Sequence, residues 1–247
     1  MKKVGRIFSQ TATFEWPKTT EKSHIMGICK MLLYATFFVL NSSFLVSCSE
    51  HDNTEEEFVD WKEKNENYFN NLFTQTQQRI ANNDKDWKIL TQWSLEDSIA
   101  TQTYNHIIVH VLEEGNGAGY PIYTDSVRVH YLGRLLPSTS LASGYIFDRS
   151  YSGEYNPTTS YPATFKCSSL GIGFATAIMN MRIGDHWQIF VPHQLGYGIN
   201  GTTDNAGKIV IPGYSTLIFD VTLCAFYRAN VTPPPYQSKQ FSGWTEE

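Results

Sequence analysis

The chain has 247 residues, an aromatic content of 14%, a charged content of 17% and a formal net charge of -5. That length allows one sizeable domain with extensions or two small domains, and many rings with few charges permit a real core and an apolar groove. An acidic balance, with no Lys/Arg cluster interleaved with aromatics, argues against a nucleic-acid binder.

Residues 27–48 read GICKMLLYATFFVLNSSFLVSC. Lys30 flanks a short apolar run that Asn41, Ser42 and Ser43 interrupt. The run is too short for a good membrane span and fits a secretory signal. Leu45-Val46-Ser47-Cys48 resembles the bacterial lipobox, in which the Cys is acylated and becomes the new N-terminus. We therefore expect a signal region at 1–47, lipidation at Cys48, and attachment to the cell envelope. The anchor would sit in the outer membrane, on its periplasmic or surface face. Without residues 1–47 the chain carries 13 basic and 22 acidic residues. Attachment to the membrane would then rest on acyl chains rather than on attraction to anionic lipid. Cys167 and Cys224 lie in or beside apolar strand-like runs and read as buried free thiols; a disulfide between them is the alternative in an oxidising compartment. No C-x-x-C occurs, and no metal site is expected.

Residues 48–103 read as a polar tether followed by a helical segment. Thr54 with Glu57 three residues on forms a capping box. Phe58, Trp61, Tyr68, Phe69, Leu72 and Ile80 recur at near-helical spacing. That stripe at 58–80 either docks on the domain or pairs with a second copy as a homodimer. Asn82-Asn83-Asp84 ends the helix, and Trp87 and Trp93 fall in a connector. From residue 104 the period becomes 2. Strands are predicted around Ile107 to Val111, Val127 to Tyr131, Ile146-Phe147, Thr164 to Lys166, 186–191 and 217–223. Residues 171–181, GIGFATAIMNM, are the single helix candidate among them. The fold class is therefore α+β: an antiparallel β-sheet curled around one short α-helix, preceded by an N-terminal helix. This domain spans 104–228. The Pro-rich, polar tail at 229–247 reads as disordered.

Four stretches occur in order: VRVHYLG (127–133), YIFDRSY (145–151), MRIGDHWQIFVPHQLGYG (181–198) and IPGYSTLIFDVTL (211–223). Together they resemble the FKBP-type peptidyl-prolyl isomerases, over roughly half the chain. The resemblance implies an apolar cleft between helix and sheet that takes in a prolyl ring. It assigns Tyr131, Asp148 and Tyr197 as polar contacts to the bound amide. It assigns Phe147, Leu170, Gly171, Phe174, Ile211 and Phe219 as substrate-binding walls. Tyr197 stands where the family's tyrosine hydroxyl bonds a substrate carbonyl. Read without the other blocks, it is a turn tyrosine between Gly196 and Gly198.

Rotation about an X-Pro bond breaks no covalent bond, so the implied chemistry needs no nucleophile, metal or cofactor. The implied partners are proline-containing polypeptides, exported proteins in an envelope setting. Three departures bear on this. Phe174 replaces the usual Trp, Gly171 replaces a branched residue, and Ala163 or Thr164 falls where an aromatic wall is usual. That apparent gap motivates the alternative: a non-catalytic peptide-binding or chaperone module on the same fold.

Overall fold

The computed structural model describes residues 57–156 and 159–236. The signal region, Cys48, Thr54 and the end of the tail lie outside the described residues.

Helix α1 (Trp61–Ala81) comes first. Asp60, just before it, is left-handed (φ 52°), with no side-chain cap on this helix. Glu57 accepts the backbone N–H of Ser140 and the hydroxyl of Ser138. The apolar stripe buries Trp61, Phe69 and Phe73 and half-buries Phe58, Tyr68 and Leu72 against the domain; Ile80 is exposed. The stripe docks on its own chain.

The predicted connector at Trp87 is strand β1 (Trp87–Thr91). It pairs antiparallel with β2 (His106–Glu113), with Trp87 opposite His110. Every residue of β1 is half-buried, so period 2 gives no signal there. The rest of the sheet is β3 (Ser126–Arg134), β4 (Ile146–Arg149), β5 (Ala163–Lys166), β6 (His186–Val191) and β9 (Leu217–Tyr227). The seven strands run in the order β1-β2-β6-β9-β3-β4, and β5 also pairs with β3. β5 takes the first half of β3 and β4 the second. Register shifts in β2, β3 and β9 pairings mark bulges, which add twist and bend the sheet.

Helix α2 (Ile172–Ile178) lies on the concave face and buries every residue but its first. Gly173 allows that approach, since a Cβ there would sit 2.3 Å from Val191 Cγ1. The helix ends earlier than the sequence pattern suggests, yet Met181 remains fully buried. Trp187, Ile189 and Val191 face α2. Phe190 faces the other way, toward Tyr68 of α1 at 6.3 Å. The two helices thus cover opposite faces of the sheet.

Two further elements escape the sequence pattern. Strands β7 (Thr202–Thr203) and β8 (Ile209–Ile211) form a small antiparallel pair in the segment read as a loop. The described start of the tail is not detached. Arg128 donates to the carbonyl of Pro234, and Tyr236 packs against Tyr161 at 4.9 Å. Cys167 and Cys224 are both buried free thiols, and burial pushes both above the usual thiol range, to about 11 and about 12.

Candidate active site

A cleft of about 340 Å³ opens between α2 and the concave face of the sheet. Strand β3 points Val129, Tyr131 and Gly133 inward by alternation. Its neighbour β9 brings Phe219 opposite Gly133, and β6 brings Ile189 opposite Phe219. A Cβ at Gly133 would lie 2.6 Å from the Phe147 ring and 2.8 Å from the Phe219 ring. The missing side chain is what lets both rings lie there.

Five rings then follow one another without a break. Phe165 is 5.8 Å from Tyr131, and Tyr131 is 6.0 Å from Phe174. Phe174 is 4.9 Å from Phe219, and Phe219 is 5.5 Å from Phe147. Three of these contacts are edge-to-face, the favoured arrangement for aromatic pairs.

The polar side of the cleft is equally ordered. The Tyr131 hydroxyl donates to Asp148 Oδ2 at 2.7 Å, and the Arg149 backbone N–H donates to Asp148 Oδ1 at 2.8 Å. The Asp148 carboxylate is thereby oriented by two donors. Burial, then the bond to Asp148, holds the Tyr131 phenol well above its ordinary range. Tyr197 is 48% exposed at the rim. Burial of its hydroxyl and the charge of Asp148 push its phenol up too. Both phenols therefore stay protonated, and stay donors, throughout the neutral range.

Of the residues singled out in the sequence, Tyr131, Asp148, Leu170, Gly171, Phe174, Tyr197 and Phe219 line this one cleft. Phe147 sits behind the lining, against Phe219. Ile211 does not line it. It is 2% exposed in β8 opposite Thr202, a core residue of the small hairpin. Sequence reasoning missed Phe165, Ser169, Val191, Leu195 and Leu217, which also line the cleft. Phe165 matters most. Ala163 and Phe165 share the inward face of β5 while Thr164 and Lys166 are exposed. The aromatic wall missing at 163–164 is supplied one position later, and strand alternation was the signal that could have found it. Among the described residues no group of three or more His, Cys, Asp or Glu could hold a metal ion.

Residues 119–224 match the family model for FKBP-type peptidyl-prolyl cis-trans isomerase. A macrophage infectivity potentiator of Trypanosoma cruzi is 34% identical over 117 residues, 47% of this chain and 51% of the relative. The FKBP-type 22 kDa peptidyl-prolyl cis-trans isomerase of Escherichia coli is 38% identical over 114 residues, 46% of each chain. The peptidyl-prolyl cis-trans isomerase Mip of Coxiella burnetii is 36% identical over 119 residues, 48% of this chain and 44% of that one. The chain spans about half the length of these curated relatives.

Proposed function

We propose that this chain, whose residues 119–224 match the family model for FKBP-type peptidyl-prolyl cis-trans isomerase, accelerates X-Pro bond rotation in exported polypeptides. The observation that carries the proposal is the convergence of Tyr131, Asp148, Phe174, Tyr197 and Phe219 on one cleft. Uncatalysed, the rotation meets a barrier of about 18–20 kcal/mol and takes tens to hundreds of seconds. The twisted amide has lost its resonance and is less polar than the planar one. A dry aromatic floor of Tyr131, Phe165, Phe174 and Phe219 favours that state over the planar ground state, and only such differential binding speeds the reaction.

The polar residues orient the peptide. Tyr197 donates to a substrate carbonyl at the rim. The Asp148 carboxylate, held by Tyr131, contacts the turning amide electrostatically and takes no proton. The non-catalytic module reading rests on the weakened wall at Ala163 and Gly171; Phe165 in the cleft lining supports the isomerase reading on the Ala163 side.

A protease-coupled assay on chromogenic X-Pro peptides tests the proposal. Asp148→Ala is expected to lower kcat/KM by roughly tenfold, the weight of one charge-assisted hydrogen bond. It costs about 1 kcal/mol of stability, because the Tyr131 hydroxyl loses its acceptor. Tyr197→Phe is expected to lower kcat/KM by about fivefold with no loss of stability, since its ring is half exposed. A wild-type rate equal to that of buffer, from a chain folded by circular dichroism, removes the isomerase reading.

The Leu45 to Cys48 stretch supports attachment to the cell envelope by acylation of Cys48. Cys48→Ser is then expected to move the protein from the membrane pellet to the soluble fraction. An unchanged pellet in the variant speaks against the anchor. The stripe at 58–80 packs on its own sheet, which favours docking over a homodimer through that face.

A further inference from the structure

We infer that helix α1, which precedes the family-matched residues, is part of the catalytic unit, with Asn65 as a positioning residue for the wall that carries Leu217 and Tyr197. The inference rests on the isomerase reading above.

Helix α1 and Glu57 before it are tied to three segments: the loop between β3 and β4, residues 212–216 and the His193 turn. Lys64 Nζ donates to the carbonyl of Pro137 at 2.6 Å, and Glu57 holds Ser138 and Ser140. These bonds secure the loop between β3 and β4. Trp61 Nε1 donates to Ser215 Oγ at 2.8 Å, and Ser215 in turn donates to the Pro212 carbonyl at 2.6 Å. Asn65 is fully buried. Its amide donates to the Trp61 carbonyl at 2.7 Å, and its Oδ1 accepts the Thr216 N–H at 2.7 Å. The Thr216 hydroxyl donates back to the Asn65 carbonyl at 3.3 Å. Glu66 lies 3.7 Å from His193, in the turn that leads to Tyr197.

From Thr216 the path to the cleft is short. Leu217 follows it, lines the cleft and pairs with Val191, another lining residue. Gly196 sits on Leu217, since a Cβ there would be 2.9 Å from Leu217 Cδ1. The Tyr214 N–H donates to the Gly198 carbonyl at 2.9 Å. Tyr197 is thus held on both sides by the 212–217 segment. That segment includes a strained residue, because Tyr214 is non-Gly with φ +63°. Such a conformation persists only when its surroundings over-determine it. The surroundings here come from α1 and the Tyr197 turn. Lys62 Nζ lies 4.9 Å over the Tyr214 ring, and His193 meets the ring edge-on at 5.0 Å. A mere cover for the sheet would bury apolar residues, as Phe69 and Phe73 do. It would not commit a fully buried amide to the backbone one residue before a cleft wall.

The test compares variants of the full chain. Asn65→Leu keeps volume and removes the acceptor. Trp61→Phe keeps an aromatic ring and removes the donor to Ser215, and it carries the same test should Asn65→Leu not fold. Phe73→Leu is the control: it loosens the helix without touching the 212–217 segment. We expect the first two to lower kcat/KM by about tenfold per folded molecule. Amide exchange at 214–219 and 196–198 should rise by a similar factor. Phe73→Leu should lower Tm and leave both unchanged. On a Tyr197→Phe background, Asn65→Leu should cost clearly less than it does alone, because the two act through one element. If Asn65→Leu and Trp61→Phe lower Tm but keep wild-type kcat/KM and exchange at those segments, the inference is overturned. Additive effects in the double variant overturn it too. If the wild type shows no turnover, the isomerase reading fails by itself, and exchange at 214–219 still decides whether α1 holds the wall.

Discussion

Phe219→Ala is expected to cost roughly 3 kcal/mol of stability and to lower kcat/KM on the order of 50-fold. Removing a buried phenylalanine ring typically costs about 3–5 kcal/mol. The lower end applies because the ring borders an open cleft, and water can enter the space. Phe219 is 8% exposed and contacts the rings of both Phe174 and Phe147. Opposite it stands Gly133, which has no side chain to fill the gap. The catalytic loss follows from the same geometry. A floor that admits water no longer favours the less polar twisted amide, and losing about 2.3 kcal/mol of differential stabilisation is about 50-fold in rate. Urea denaturation reads the first effect, and the X-Pro assay on fully folded protein reads the second. Phe219→Leu should fall between the two. Wild-type kcat/KM in folded Phe219→Ala would remove this ring from the mechanism.

Acidification is expected to destabilise the fold by roughly 3 kcal/mol by pH 4, through His130. This side chain is 3% exposed on β3, on the face opposite Tyr131, and neither ring nitrogen has a hydrogen-bond partner among the described residues. The Tyr155 ring meets it edge-on at 5.0 Å. Burial lowers its pKa from 6.5 to about 4. The unfolded chain therefore takes up a proton before the folded one does. Stability is constant above about pH 6.5 and declines as pH falls toward 4. His193, lowered by burial, adds in the same sense. His186, raised chiefly by its bond to Asp220 at 2.7 Å, acts in the opposite sense. His130→Leu isolates the effect, because it removes the titrating ring and keeps an apolar filling. The difference in urea stability between pH 7 and pH 4.5 should shrink by roughly 2.5 kcal/mol in the variant. An unchanged difference would assign the acid lability to other groups.

Much of the lining of the candidate cleft is legible in the sequence, and particular residues show why. Tyr131 and Val129 read as inward because a strand alternates its side chains. Phe174 and Tyr197 stand at motif positions of the family resemblance. Tyr131, Phe174 and Tyr197 line the cleft. Ile211, placed by the same motif match, is a core residue of a hairpin. The hairpin was invisible because β7 has two residues and β8 three, too few to show a period. Alternation along β5 alone puts Phe165 on the inward side, one position past 164.

Local pattern determined strands β2 to β6 and β9, the short helix and the rings that face it. Backbone stereochemistry decides which side chains share a face, and that rule acts over a few residues. The use of α1 and the bracing of the Tyr197 turn were decided only in three dimensions. Asn65 and Thr216 are 151 positions apart, and Trp61 and Ser215 are 154 apart. A hydrogen bond between such residues leaves no periodicity in the chain. It exists because the sheet has already brought their backbones together, where a buried polar group must find a partner or pay its desolvation cost.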